Sequence, residues 1–90
     1  MARVNVDPGE LRRFSKDLHR FNQDLEQMMS ALGARAGQMA QTWRDQEHRK
    51  FAEQMSETMR VLQRFLKASD EHVRFLNRKA EQAELYLNQR

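Results

Sequence analysis

Ninety residues allow one small domain with little interior to bury. Apolar residues make up 39% and charged residues 32%, with three Gly, one Pro and no Cys; this is the balance of a helical, coiled-coil-like chain, and it excludes disulfide frameworks, thiolate metal sites and cysteine nucleophiles. The net charge of +3 comes from interspersed signs, 16 Lys and Arg against 13 Asp and Glu, which predicts a mildly basic solvated surface rather than a basic block.

The first residues, Met1-Ala2-Arg3-Val4-Asn5-Val6-Asp7, carry no apolar core region and no small-residue cleavage site, so no conventional signal peptide is expected. No apolar run approaches the ~18 residues of a membrane span. Both features predict a chain that stays in the cytoplasm or leaves it by a route that reads a folded protein, without stable membrane insertion.

The first helix is predicted over about 8–41. Asp7 stands at its N-cap, Pro8 at the first helical position and Glu10 three residues after the cap, the arrangement of a capping box with an acidic first turn. An apolar column follows at alternating spacings of three and four: Leu11, Phe14, Leu18, Phe21, Leu25, Met28 and Leu32. Its flanks, Ser15-Lys16-Asp17 and Asn22-Gln23-Asp24, are polar, so the seam reads as narrow. Small residues then gather from Ala31 to Ala40, with Gly33 and Gly37 among them, which favours close approach of another backbone or a kink.

The second helix, about 47–88, carries a broader apolar arc. Phe51, Met55, Leu62, Phe65, Ser69, Leu76 and Ala83 form one column, Met59, Leu66, Val73, Ala80 and Leu87 another, and Val61, Ala68 and Phe75 a flank. At ~100° per residue the arc spans roughly 150°, more than one antiparallel neighbour covers. A second hairpin would cover it, giving a four-helix bundle. The two helices do not share a phase. Extended past Met39 by sevens, the first seam meets Gln46, Glu53 and Arg60, so a continuous helix would turn its apolar face into water. The chain is therefore expected to break between Met39 and Phe51, with a turn at about 42–46 and Asp45 capping the second helix. The turn holds neither Gly nor Pro, and Asp45 is the residue there best able to take a positive φ. The fold class is all-α: one antiparallel two-helix hairpin spanning 1–90, pairing into a four-helix bundle dimer.

These features resemble the small WxG-motif helical hairpins related to the early secreted antigenic target of type VII (Esx) secretion. Trp43-Arg44-Asp45 stands where that family has its Trp-x-Gly turn, and Phe51 lies eight residues after Trp43, where the family has Phe or Tyr. The resemblance covers the whole chain in architecture. It implies a secreted substrate or partner of a type VII system that acts through dimerisation, with an identical or a similar hairpin, and through contact with a secretion ATPase. Two departures stand out. Asp45 replaces the family glycine, and Tyr86, the start of a Tyr-x-x-x-acid export signal, is followed four residues later by Arg90. Tyr86 and Arg90 are thus the candidates for C-terminal recognition.

Other chemistries find little support. His19, His48 and His72 lack the i, i+3 or i, i+4 spacing of a helical metal site; His72 falls on the apolar arc, where a satisfied core histidine is the ordinary reading. Carboxylates are abundant but lie on solvated faces, glycines are misplaced for a phosphate loop, and a hairpin leaves no room for a cleft, so no catalytic residue, metal or cofactor is expected and the chain reads as a non-enzyme. Arg12-Arg13, Arg49-Lys50 and Arg78-Lys79 sit among acids without a continuous stripe, so nucleic acid is not an expected partner. The interaction surface is expected on Leu11, Phe14, Leu18, Phe21, Leu25, Met28 and Leu32 of the first helix and Met55, Met59, Leu62, Phe65, Leu66, Val73 and Leu76 of the second. The alternative function is an intracellular helical adaptor or structural dimer unrelated to export and, behind that, a weak nucleic-acid binder.

Overall fold

The computed structural model describes residues 6–88; the first five residues, Gln89 and Arg90 lie outside them. Two helices make up the fold, α1 (Pro8–Met39) and α2 (Gln46–Asn88), of 32 and 43 residues. They run antiparallel as a hairpin 68 × 20 × 13 Å in extent. Its radius of gyration is 20.1 Å, against about 12 Å for a compact domain of this length, so nearly every residue lies close to the surface.

Both helix starts are written in the sequence. Asp7 adopts extended backbone, and its Oδ1 accepts from the Gly9 N–H at 2.8 Å, with Pro8 in the first turn. At α2, Asp45 Oδ1 accepts from the His48 N–H at 3.0 Å, and Glu47 sits in the first turn, where the helix dipole favours an acid. The end of α1 unwinds in short steps. Ala40 and Trp43 donate backbone N–H groups to Ala36 and Met39, while Gln41 and Thr42 donate to Gln38 and Met39 in tighter i to i−3 turns. No described residue has positive φ, so Asp45 serves as a cap and not as a left-handed pivot.

The seam between α1 and α2 departs from the expected one. On α1 the deeply buried residues are Ser15 and Asn22, at 2% and 3% exposure, with Leu11, Leu18, Leu25 and Met29 half-buried around them. Phe14, Phe21, Met28 and Leu32, expected in a narrow seam, are instead 48–60% exposed. α1 is therefore two-faced. The column Ser15, Asn22, Met29, Ala36 turns toward α2, and the phenylalanine column turns away from the hairpin seam. On α2 the buried residues are Leu66, Ser69, Val73, Ala80 and Ala83. His72, expected in the core, is exposed. Nor does α1 bring another backbone close at Gly33 or Gly37: a Cβ at either would meet nothing within 4 Å, and α1 is one uninterrupted helix across both.

Polar residues hold this seam together because each one finds a partner. Ser15 Oγ donates to Asn77 Oδ1 at 2.6 Å, with the Val73 carbonyl at 3.4 Å. Asn22 Oδ1 accepts from Ser69 Oγ at 2.7 Å, and its Nδ2 donates to Asp70 Oδ1 at 3.1 Å. Among the described residues no buried side-chain polar atom is left without a partner. Nearer the open end, the Arg12 guanidinium forks onto Glu84 with Nε and Nη2 at 3.1 and 2.7 Å. These three layers lie at successive heights and fix how far one helix is slid along the other.

Two predictions follow from the seam. Asn22→Ala orphans the Ser69 hydroxyl and one Asp70 contact in a buried layer, so it should cost about 1–3 kcal/mol in urea unfolding, and Asn22→Leu combined with Ser69→Ala should recover most of that loss. The hydrogen bond from Arg12 holds the Glu84 carboxyl below its ordinary value against a smaller opposing desolvation, while Glu84 raises Arg12. A lowered carboxylate contributes stability that is present above its unfolded-state pKa and fades as pH falls through the lowered value. The denaturation midpoint of the wild type should thus fall more steeply on the acid side than that of Glu84→Gln, and the two should not diverge further between neutral and mildly alkaline pH.

Candidate interaction surface

The residues expected to mediate contacts divide into two sets. Leu66 and Val73 are buried inside the hairpin, and Leu11, Leu18, Leu25, Met55, Met59, Leu62 and Leu76 are half-buried along its seam. Phe14, Phe21, Met28, Leu32 and Phe65 are brought together on one outer face, joined by Val61 and Phe75 at 50% and 57% exposure. Phe21 and Phe65 touch across that face, one from each helix, edge to face with ring centroids 6.3 Å apart. Phe21 and Phe65 thus join the outer apolar residues of the two helices on that face.

The opposite side of the seam is polar. A shallow groove there is lined by Arg12, Lys16, His19, Asp70, Arg74 and Asn77, and it includes the Ser15–Asn77 pair. Hydrogen bonds seal one side of the hairpin while apolar rings stand open on the other. Sequence reasoning missed this division because Ser15 and Asn22 were read as solvated flank. The available signal was their spacing: seven residues apart, continued by Met29 and Ala36, they form a second heptad column.

The turn motif is a packed cluster. The Trp43 ring is half-buried, set edge-on to His48 at 5.1 Å and tilted against Phe51 at 5.8 Å. His48 and Phe51 are three residues apart in the first turns of α2, so they share the face under the indole. This explains the eight-residue spacing of Trp43 and Phe51 physically: Asp45 starts the helix between them and Phe51 returns beneath the ring. Trp43 is accordingly a clamp on the hairpin end and not the freely offered ring that a docking role would need. Arg44 is exposed, and its Nε donates to the Gln41 carbonyl at 3.1 Å. Tyr86 is half-buried near the end of α2, and Arg90 lies outside the described residues. Among the described residues no three His, Asp or Glu side chains are placed to hold a metal ion, and no helix is long and apolar enough to cross a membrane.

Because Asp45 caps α2 through its side chain, Asp45→Ala should lower stability by about 1 kcal/mol, and Asp45→Gly by only a few tenths, in paired thermal or urea melts. Equal losses for the two would show that the side-chain cap contributes nothing.

None of the curated proteins compared with the chain matches it. The family model for WXG100, proteins of 100 residues with WXG, matches residues 3–84. That match covers α1, the Trp43 turn and α2 as far as Glu84. The chain belongs to the WXG100 family, the small WxG-motif helical proteins associated with type VII secretion.

Proposed function

We propose that this protein is an exported substrate or partner of a type VII secretion system that acts by pairing its hairpin with a second helical hairpin and presenting the pair to the secretion ATPase. The observation that carries this reading is the one-sided apolar face: Phe14, Phe21, Met28 and Leu32 from α1 and Phe65 from α2 are each about half or more exposed, while among the described apolar residues the single hairpin fully buries only Leu66, Val73, Ala80 and Ala83. Contiguous apolar surface of this kind marks an interaction site, and a core so thin is ordinarily completed by oligomerisation. Pairing by the same face yields the four-helix bundle.

Family membership supports the export route, which needs no cleavable leader. Tyr86 is proposed as the recognition residue near the C-terminus. With Arg90 in place of the usual acid, the recognised unit is the folded pair rather than the tail alone.

The test is the distribution of the protein between cells and culture medium in its native host, with a cytoplasmic lysis marker, with and without the secretion ATPase gene. Protein should reach the medium only when the ATPase is present. Retention in the cells in both strains would overturn the export reading in favour of an intracellular adaptor.

A further inference from the structure

We infer that the last third of α1, residues 30–39, is a strap that unwinds and re-forms as a unit over α2 while both of its ends stay fastened, and that it bares Met55 and Met59 when it lifts. Such opening belongs to the single hairpin and requires neither export nor pairing.

The contacts that hold the hairpin closed are unevenly placed. Among the described residues the buried ones all lie within 15–22 on α1 and 66–83 on α2. The hydrogen bonds that cross between the helices gather at the same end, in the layers of Arg12, Ser15 and Asn22. On the turn side of Asn22 no hydrogen bond or ion pair among the described residues joins α1 to α2; those present are local to the turn or to α2. Across residues 30–39 only Ala36 is not exposed. Two open clefts meet at Ala36, Phe51 and Met55, one lined also by Gly37, Ala40 and Ala52, the other by Leu32, Arg35 and Met39. Packing therefore does little to keep this segment down.

The segment is also weakened from within. A Cβ at Gly33 or Gly37 meets nothing within 4 Å, so alanine would fit at both. Each glycine instead lowers the local helix equilibrium about five-fold relative to alanine. The C-terminal end is loosely closed: no basic residue in the last turn meets the helix dipole, and Ala40 caps it in right-handed backbone. Ala31, Ala34 and Ala36 supply the helix propensity to re-form it. A free helix this short is marginal in water, so both states lie within reach.

The two ends are held differently. Asn22, bonded to Ser69 and Asp70, fixes α1 before the strap, and Trp43, set against His48 and Phe51, fixes the turn after it. Ten helical residues span ~15 Å, whereas the same ten extended reach about twice as far, so unwinding creates slack and pulls on neither anchor. Beneath the strap Met55 lies beside Ala36 and Met39, and Met59 beside Gly33, both half-buried. Lifting it bares a soft apolar surface that the closed hairpin keeps hidden.

Peptide-resolved amide hydrogen exchange of the full chain tests this. Corrected for intrinsic rates, amides of 30–39 should exchange at least about ten-fold faster than those of 15–22 and 66–83. Gly33→Ala with Gly37→Ala should slow exchange in 30–39 by roughly twenty-five-fold. Asn22→Ala should speed exchange around 15–22 and leave 30–39 unchanged, because the strap opens without disturbing that layer. The chain has no cysteine, so Met55→Cys reads the uncovering by its rate of reaction with a thiol reagent. That rate should fall several-fold when the two glycines are replaced, whereas a Thr58→Cys control on the exposed side of α2 should not respond. Equal protection along the hairpin, or Asn22→Ala speeding every segment alike, would make it one cooperative unit and overturn the strap. Labelling at position 55 that ignores the glycine replacements would overturn the uncovering.

Discussion

Two helices lying side by side share a single line of contact, and everything else in this molecule adjusts to that limit. Each side chain on the line has one neighbouring helix to pack against and water on either side. Burial is consequently shallow: among the described residues no large side chain is fully enclosed, and two of the tightest positions on the line are small apolar residues, Ala80 and Ala83. A chain with this geometry cannot rely on the hydrophobic effect alone to choose how its helices slide past each other, because a line of Leu and Met contacts tolerates several offsets.

Hydrogen bonds settle the offset. Ser15 with Asn77, Asn22 with Ser69 and Asp70, and Arg12 with Glu84 each demand one height, and three heights together leave one solution. Buried polar groups give such specificity only when each is satisfied, as Ser15, Asn22 and Ser69 are. The same bonds have a second effect. By gathering the polar residues on one side of the seam, they leave the rings of Phe14, Phe21 and Phe65 on the other. The internal pairing of the hairpin and the surface it offers outward are thus two aspects of one division of residues.

Much of this was legible in the sequence. The caps at Asp7 and Asp45, the break after Met39 and the antiparallel hairpin all follow from local chemistry and from the phase mismatch between the two apolar patterns. The burial assignments on α1 were not. Hydrophobic periodicity finds the face with the largest apolar side chains, and on α1 that is the face turned away from its own hairpin. Ser15 and Asn22 are buried because Asn77 and Ser69 stand opposite, more than forty residues along the chain, and no local pattern reports such a partner. That Trp43 packs at the hairpin end is the ordinary reading of an aromatic beside a turn; its contact with Phe51 depends on where α2 begins, which Asp45 decides, so the spacing was visible before its cause was.

The shape has a consequence for the export route proposed above. The hairpin is 68 Å long but only 20 × 13 Å in section. Stacking a second layer of helices at an interaxial distance of about 8–10 Å thickens the short side without lengthening the rod, leaving a section roughly square and about two helices wide. A globule of the same mass would present a broader profile from every direction. Presented end-on, a needle of this kind would need an aperture set by helix diameter rather than by molecular weight, so the export route proposed above would not require it to be unravelled.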